Sequence, residues 1–145
     1  PVVTPEAVIV ATIDGELLAL DKTSGQVRWH FKSPDFQWSI LDQPQLADGV
    51  VYWTAGDDRL YALSADHGDV IWSVPCPEAG RDILVTGTRV HVPSDMLRVF
   101  ARSNGQSIAA VRVAVPGDAI ESQPQAIGSR IFVSESSAIW SFREP

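Results

Sequence analysis

The sequence predicts an all-β fold made of β-propeller blades, about three and a half to four of them, each a four-stranded antiparallel sheet. Four segments share one pattern, and no window shows the 3.6-residue periodicity of an amphipathic helix. The segments read VIVATIDGELLALDKTSGQVRW, VVYWTAGDDRLYALSADHGDVIW, RVHVPSDMLRVFARSNGQSIA and RIFVSESSAIWSF. Repetition at a spacing of about 40 residues is typical of propeller blades.

Each repeat has the same order of parts. An alternating apolar strand precedes a short polar turn, a second alternating strand, a glycine-bearing turn and a third strand. Equivalent apolar positions recur once per repeat, at Leu17, Leu60, Leu97 and Ile139. We therefore predict one repeat domain over residues 1–145, with blades at 1–34, 35–76, 77–116 and 117–145.

A fourth strand per blade is expected in the segments that precede these repeats. The tripeptide Gln-Pro-Gln occurs at 43–45 and again at 123–125, before the second and the fourth repeat. The pairs Asp48-Gly49, Gly87-Thr88 and Gly128-Ser129 follow the expected strands, where a tight hairpin has to reverse the chain. Glycine supplies the positive φ that such turns require.

The glycine-bearing turn carries the most specific motif. Residues 19–29 read Ala-Leu-Asp-Lys-Thr-Ser-Gly-Gln-Val-Arg-Trp, which resembles the tryptophan-docking repeat of pyrroloquinoline-quinone-like (quinoprotein-type) propellers. The second copy keeps the alanine, the glycine and the tryptophan of this motif. The third copy keeps Gly105 but has Ala109 at the tryptophan position, and the fourth copy ends before the motif can be read.

The resemblance implies a packing role for the motif. In such propellers the outer-strand tryptophan packs on the neighbouring blade, and burial of so large a ring contributes about 2–3 kcal/mol. The resemblance names a scaffold and not an activity, because related repeats occur in quinone-dependent alcohol dehydrogenases, in the propeller lipoprotein of outer-membrane protein assembly and in sensor domains of receptor kinases. The residues to which it gives a structural docking role are Ala19, Asp21, Gly25, Trp29, Ala62, Gly68 and Trp72.

Composition and charge narrow the classes of function. The chain has 11 basic and 18 acidic side chains and a net charge of −7, without the cluster of Lys and Arg that a nucleic acid partner requires. Cys76 is the single cysteine, so neither an internal disulfide nor a cysteine metal cluster can form. No apolar run approaches the roughly 20 residues that insert across a membrane.

The start of the sequence bears on its origin and compartment. It shows neither an initiator Met nor a signal peptide, so we expect a processed product or a piece of a longer chain. We expect an extracytoplasmic location, in the periplasm or outside the cell, with the cytoplasm as the alternative.

An enzymatic function would follow the dehydrogenases, whose resemblance implies a bound ion with acidic ligands beside a quinone. Asp57-Asp58 is the nearest approach to paired carboxylates, and it lies in a short turn, where solvated acids are common. His30, His67 and His91 fall on different repeats and lack metal-ligand spacing. We therefore predict no catalytic residues, no metal site and no cofactor, and keep a fragment of a quinone-dependent dehydrogenase as the alternative.

A binding face is predicted where the turn between the second and third strands meets the linker between blades. These segments collect acidic and aromatic residues. Phe36 and Trp38, in the longest linker, are candidate contact hot spots because aromatic side chains dominate interface energies. The alternative is that both fold back over the blade as a small satellite core. The candidate face consists of Asp35, Phe36, Trp38, Asp57, Asp58, Arg81, Asp95 and Glu121.

The two ends of the repeat array are predicted to be incomplete. The first repeat shows no clear leading strand, and the last shows no strand after Phe142. Blades normally close into a ring that covers their faces and edges, so we expect a protein partner: a second copy that closes a homodimeric propeller, or the rest of a larger protein. The expected function is a non-catalytic binding, sensor or scaffold module, with a scaffold for outer-membrane protein assembly as an alternative.

Overall fold

The computed structural model describes residues 1–37, 43–77, 82–94, 96–112, 120, 122–134 and 138–143. All regular secondary structure in these residues is β-strand, which confirms the predicted all-β class. The strands are β1 (Val2–Val3), β2 (Ala7–Ala11), β3 (Glu16–Asp21), β4 (Val27–Lys32), β5 (Gln45–Ala47), β6 (Val50–Ala55), β7 (Arg59–Ser64), β8 (Val70–Pro75), β9 (Leu84–Val85), β10 (Arg89–Pro93), β11 (Leu97–Ala101), β12 (Ser107–Val111), β13 (Gln125–Ile127), β14 (Arg130–Ser134) and β15 (Ile139–Arg143).

The strands form antiparallel sheets in chain order. Three sheets have four strands each, β1–β4, β5–β8 and β9–β12, and the described residues of the fourth sheet supply β13–β15. Neighbours in a sheet are consecutive in the chain, so every connection within a sheet is a hairpin. The chain divides into two compact units, residues 1–77 with the first two sheets and residues 78–145 with the last two. The division of the chain into one domain of four blades stays a prediction.

The expectation that the first repeat lacks a leading strand is wrong. β1 pairs with β2 and places Val2 opposite Ile9 and Val3 opposite Val8. A strand of two residues is too short to show the alternation by which strands are recognised in a sequence. The first sheet is therefore complete, with four strands.

The hairpin turns between first and second strands differ from the prediction at one place. Asp48 and Gly49 both have positive φ, 48° and 74°, as a two-residue type I′ turn requires, and Gly128 has a φ of 60°. Gly87 does not have a positive φ, contrary to expectation. Three residues separate β9 from β10. The N–H of Thr86 donates to the carbonyl of Arg89 at 2.9 Å, and this longer loop reverses the chain without a positive φ at Gly87.

The turn between third and fourth strands has one geometry in three sheets. Gly25, Gly68 and Gly105 have φ of 71°, 76° and 73°. Each donates its N–H to the carbonyl oxygen four residues earlier, at 2.8 to 2.9 Å. A bulge follows at the same point of all three strand pairs. Because glycine adopts this φ without strain, the turn forms even in the third repeat, where Ala109 replaces the tryptophan.

Each unit has its own apolar core. Alternate residues of a strand point to one side of the sheet, so the alternating pattern of the repeats becomes one buried face per sheet. In residues 1–77 one buried cluster contains Ile9, Leu17, Ala19, Val51, Trp53, Ala55 and Leu63, each exposed by 1% or less. In residues 78–145 another buried cluster contains Leu97, Val99, Ile120, Ile131 and Val133.

Trp29 joins the first sheet to the second. It lies on β4, the outermost strand of its sheet, yet its side chain is only 8% exposed. Its indole Nε1 donates a hydrogen bond to the carbonyl oxygen of Ala65 at 2.9 Å. Its ring lies against Gly68, where a Cβ would come within 2.6 Å of Cε3. The ring thus buries its apolar body while its one polar atom is satisfied.

Alanine at Gly68 should destabilise the protein more than alanine at Gly25. Both glycines have the same left-handed φ, so each substitution introduces backbone strain of about 1–2 kcal/mol. A Cβ at Gly25 has nothing within 4 Å, whereas a Cβ at Gly68 overlaps the ring of Trp29. Such overpacking lowers the unfolding free energy by about 1–3 kcal/mol more. Urea unfolding of Gly68→Ala and Gly25→Ala measures the difference, and equal losses would contradict the docking.

Candidate functional site

One edge of the first two sheets carries the linker between them, and we call it the linker edge. In residues 1–77 it comprises the turn 12–15, the linker 33–37 and the turn 56–58. The backbone N–H of Ser33 donates to the carbonyl of Gly15 at 3.1 Å, and that of Gln37 donates to the carbonyl of Gly56 at 2.8 Å. The linker is therefore tied to a turn of each sheet, so both turns and the linker lie on one side of the unit.

Phe36 packs back onto its own sheet. The side chain is half-buried, and its ring occupies the position that a Cβ on Gly15 would take. This is the arrangement that the satellite-core alternative describes. Its neighbour Asp35 is exposed. A role for either residue in contacting a partner stays a proposal.

The interpretation of Asp57 as a solvated turn residue is wrong. Its side chain is 6% exposed. The Oδ2 atom accepts a hydrogen bond from the hydroxyl of Ser33 at 2.6 Å and another, very short one from the hydroxyl of Tyr61. Its Oδ1 accepts the backbone N–H of Arg59 at 3.2 Å. Asp57 therefore ties the linker to the second sheet from inside the unit.

An aromatic cluster surrounds this carboxylate. The ring centroid of Tyr61 lies 5.1 Å from that of Phe31 and 6.4 Å from that of Trp53. Burial, followed by the hydrogen bond to Asp57, raises the pKa of Tyr61 well above its ordinary value. The phenol therefore stays protonated and donates to the carboxylate at any physiological pH. The indole Nε1 of Trp53 is buried and has no hydrogen-bond partner among the described residues.

No pattern in the sequence indicates this cluster. Ser33 and Asp57 are 24 positions apart, and Tyr61 occupies a place that Leu18 takes in the first repeat. A repeat pattern reports what blades share, whereas the cluster is particular to one junction between blades. An aspartate beside a tyrosine at a strand end is too common to predict burial.

Asp58 lies in the same turn in a different environment. It is half-buried and has a φ of 58°, in the left-handed region that Asp tolerates better than most residues. Its carbonyl accepts the backbone N–H of Cys76 at 2.7 Å. Cys76 itself is fully buried at the end of β8. The remaining members of the candidate face, Trp38, Arg81, Asp95 and Glu121, lie outside the described residues.

In the first repeat, side-chain hydrogen bonds of Asp21 stabilise the turn of the docking motif. Oδ1 of Asp21 accepts the backbone N–H groups of Thr23 and Ser24 at 3.0 and 2.8 Å, which closes the glycine turn. The pKa of Asp21 is lowered, chiefly by the N–H of Ser24, because these bonds favour the charged carboxylate. Ala19 is the cross-strand partner of Trp29 and is fully buried.

The second repeat keeps the same pairing. Ala62 lies opposite Trp72 in the ladder. Trp72 is half-buried, and its ring centroid lies 5.9 Å from that of Tyr52 in the same sheet. A small residue opposite each tryptophan leaves room for the indole across the strands.

Two searches of the described residues gave negative findings. Nowhere in them do three or more His, Cys, Asp or Glu side chains gather in a way that could hold a metal ion. No helix long and apolar enough to cross a membrane occurs in that part of the chain.

Comparison with known proteins decides the family. The family described as outer membrane protein assembly factor BamB matches residues 1–138. The chain belongs to this family. BamB of Bordetella pertussis is 35% identical over 68 residues, which cover 47% of this chain and 17% of that protein. BamB of Francisella tularensis is 32% identical over 73 residues, which cover 50% of this chain and 15% of that protein.

Solved structures confirm the predicted propeller blades. BamB from Moraxella catarrhalis matches with a TM-score of 0.78 at 15% identity, over 95% of this chain and 46% of that chain. The computationally designed Ika8 protein matches with a TM-score of 0.84 at 14% identity, over 99% of this chain and 44% of that chain. This chain therefore spans less than half of the BamB chain that it resembles.

The same fold also occurs in an enzyme. A europium-containing methanol dehydrogenase matches with a TM-score of 0.65 at 17% identity, over 74% of this chain and 23% of that chain. At such identities the likeness shows the fold alone. Function has to be argued from the residues and from the family.

Replacing Tyr61 by phenylalanine should flatten the loss of stability in alkali. An unfolded tyrosine ionises with a pKa of about 10, whereas the folded protein holds the Tyr61 proton to higher pH. The stability that this proton confers is complete below pH about 10 and is lost as the pH rises further, since only the unfolded state then ionises freely.

Urea unfolding on both sides of pH about 10 tests this prediction. Tyr61→Phe should begin less stable at neutral pH, by about 1–3 kcal/mol, because Asp57 loses a donor. It should then lose less of its remaining stability than the parent protein above pH about 10. Parallel losses in the two proteins would contradict the buried phenol.

Proposed function

We propose that this chain is part of a non-catalytic, protein-binding scaffold that acts outside the cytoplasm in the assembly of outer membrane proteins. The family match over residues 1–138 supports this proposal, because the family carries the name of an assembly factor. The name of the relatives states this role for BamB. The proposal extends the role to this chain, which spans less than half of the BamB chain that it resembles.

The burial and hydrogen bonding of Asp57 support the non-catalytic part of the proposal. A catalytic acid or base has to offer a proton or a lone pair to a bound substrate. Asp57 is the buried carboxylate of the described residues, and hydroxyls of Ser33 and Tyr61 and a backbone N–H already occupy its oxygens. Its hydrogen bonds serve the junction between two sheets, and a substrate would have to displace them.

The outermost strands support protein binding. Each is an edge whose outward N–H and C=O groups can pair with an extended segment of another protein. Ile71 and Val70 on β8 are 53% and 44% exposed, and Ile108 on β12 is 42% exposed. An edge strand that combines open backbone groups with exposed apolar side chains suits strand addition.

Site-specific photo-crosslinking tests the proposal. A photoreactive amino acid at Ile71 should cross-link the chain, in its native cells, to an outer membrane protein or to its assembly machinery. The same residue at Ile13, which is 53% exposed in the turn after β2 and not on an edge strand, is the matched control and should give no product. Equal products from both sites would contradict binding at the outer edge.

The dehydrogenase alternative predicts a different result. Addition of pyrroloquinoline quinone with calcium would then raise the unfolding temperature, since a ligand that binds the folded state stabilises it. The scaffold proposal predicts no such rise. A clear rise would replace the proposal with the enzymatic alternative.

A second candidate function is self-association that completes a propeller, and one observation favours it. The described part of the last sheet has three strands, and its outer strand β15 exposes 78% of Ile139 and 43% of Trp140. A fourth strand, from a second copy or from a longer parent chain, would cover this edge.

Light scattering on a size-exclusion column measures the mass. Self-association predicts twice the 15.8 kDa of one chain. Ile139→Lys should then shift the mass towards one chain, while Ile13→Lys, at a site 53% exposed in the turn after β2, should leave the dimer intact. A parent protein that elutes with the mass of one chain would contradict closure by a second copy.

A further inference from the structure

The charge of the chain is divided unequally between its two units. Residues 1–77 carry 11 acidic and 4 basic side chains, whereas residues 78–145 carry 7 of each, and all 7 basic residues there are arginines. The net charge of −7 therefore belongs to the first unit alone. The second unit can therefore carry a basic surface that the net charge of the whole chain does not reveal.

Four of the seven arginines of the second unit lie at one edge of its sheets. We call this edge the turn edge, because the hairpin turns 86–88, 102–105 and 128–129 lie on it. Arg89 and Arg130 are the first residues of β10 and β14, Arg143 is the last residue of β15, and Arg102 follows β11. These four residues form the arginine patch. Asp82 is the one acidic residue among the described positions of this unit, and it precedes β9 at the opposite edge.

The patch spans two sheets that pack on each other. Val99 on β11 and Ile131 on β14 belong to one buried cluster, and the side-chain amide of Gln123 donates to the carbonyl of Ile83 at 3.4 Å. Packed sheets lie about 10 Å apart, a distance that a short extended segment covers in a few residues. One bound segment can therefore contact arginines of both sheets.

Hydrogen bonds to the protein hold the guanidinium groups in place. Arg102 donates to the carbonyls of Thr86 and Gly87 at 3.3 and 3.0 Å. Arg130 donates to the hydroxyl of Ser141 at 3.1 Å. A guanidinium presents its N–H donors in a rigid fork, so such bonds orient the whole group.

One feature of the patch is unfavourable without an anion. Arg130 and Arg143 are direct cross-strand partners, and like charges in that position destabilise a sheet. A carboxylate would relieve this repulsion, because it neutralises the charge and accepts guanidinium N–H groups in pairs.

We propose that the arginine patch binds a carboxylate-rich segment of a partner protein, a segment that also carries an apolar side chain. This inference rests on the proposed function and names the chemistry of one partner. Ile127, 67% exposed and directly opposite Arg130 in the ladder, supplies the apolar contact. The presence of arginine rather than lysine suits carboxylates, whose two oxygens match the guanidinium fork.

A protein segment fits better than a nucleic acid or a lipid surface. Nucleic acid sites pair basic groups with exposed aromatic rings for stacking, and the patch residues include none. An extended anionic surface would also face the net charge of −7 of the chain. A short segment would contact only the arginine patch.

Fluorescence anisotropy with synthetic peptides tests the proposal on the whole chain. The probe is a labelled peptide of alternating Glu and Leu, and the control peptide has Gln in place of Glu. The double variant Arg130→Glu, Arg143→Glu should weaken binding of the Glu peptide by about tenfold or more, since each lost charge-assisted contact lowers affinity severalfold. Arg112→Glu, at an exposed site that follows β12 at the opposite edge, is the matched control and should bind as the parent does.

The readouts separate this proposal from the proposed function and from misfolding. Circular dichroism should show the double variant folded, because both residues are exposed at strand ends and lie outside the core. Equal binding of the Glu and Gln peptides, or of the parent and the double variant, would overturn the carboxylate site. Tighter binding to phosphatidylglycerol vesicles than to the Glu peptide would overturn it in favour of a lipid. If the peptide does not bind the arginine patch, cross-links from Ile71 would still support the scaffold proposal. If Ile71 gives no cross-links, the scaffold proposal is contradicted, while the peptide result stands by itself.

Discussion

The contact between Trp29 and the neighbouring sheet is the interaction on which the first unit depends. A four-stranded sheet cannot bury its apolar face alone, and the indole on the outermost strand β4 reaches across to a backbone carbonyl and a glycine of the second sheet. The ring requires a position without a Cβ, so Gly68 serves both the turn and the contact. The linker bonds and the Asp57 cluster at the opposite edge then fix the second end of the same junction.

The sequence predicted those features that repeat and missed those that occur once. The blades, the glycine turns and the docking tryptophan recur at fixed spacing, and repetition is itself the signal. β1 was not predicted because two residues, Val2 and Val3, cannot show a period. The burial of Asp57 was not predicted because its partner Ser33 belongs to a linker. Whether Phe36 faces a partner or its own sheet could not be predicted, since aromatic residues in a linker suit both.

The two units distribute chemistry differently over one architecture. The first concentrates acidic side chains, and its buried carboxylate stabilises the junction. The second keeps the same strand pairing but places arginines at the turn edge, where Arg130 and Arg143 face each other without a described acid nearby. Turn positions and strand ends tolerate such changes because they lie outside the cores. Blades that share one strand pairing thereby acquire distinct surfaces.

The measurement that tests the central claim most directly is the nuclear magnetic resonance signal of the Trp29–Gly68 contact in the free protein. Because the indole ring lies against Gly68, its ring current should shift a Gly68 Hα resonance strongly upfield, and the indole N–H bonded to Ala65 should exchange slowly with solvent. Gly25, which has the same turn geometry and nothing within 4 Å of its Cβ position, should show an ordinary shift. Equal shifts at the two glycines, with rapid exchange of the Trp29 indole proton, would contradict the docked junction.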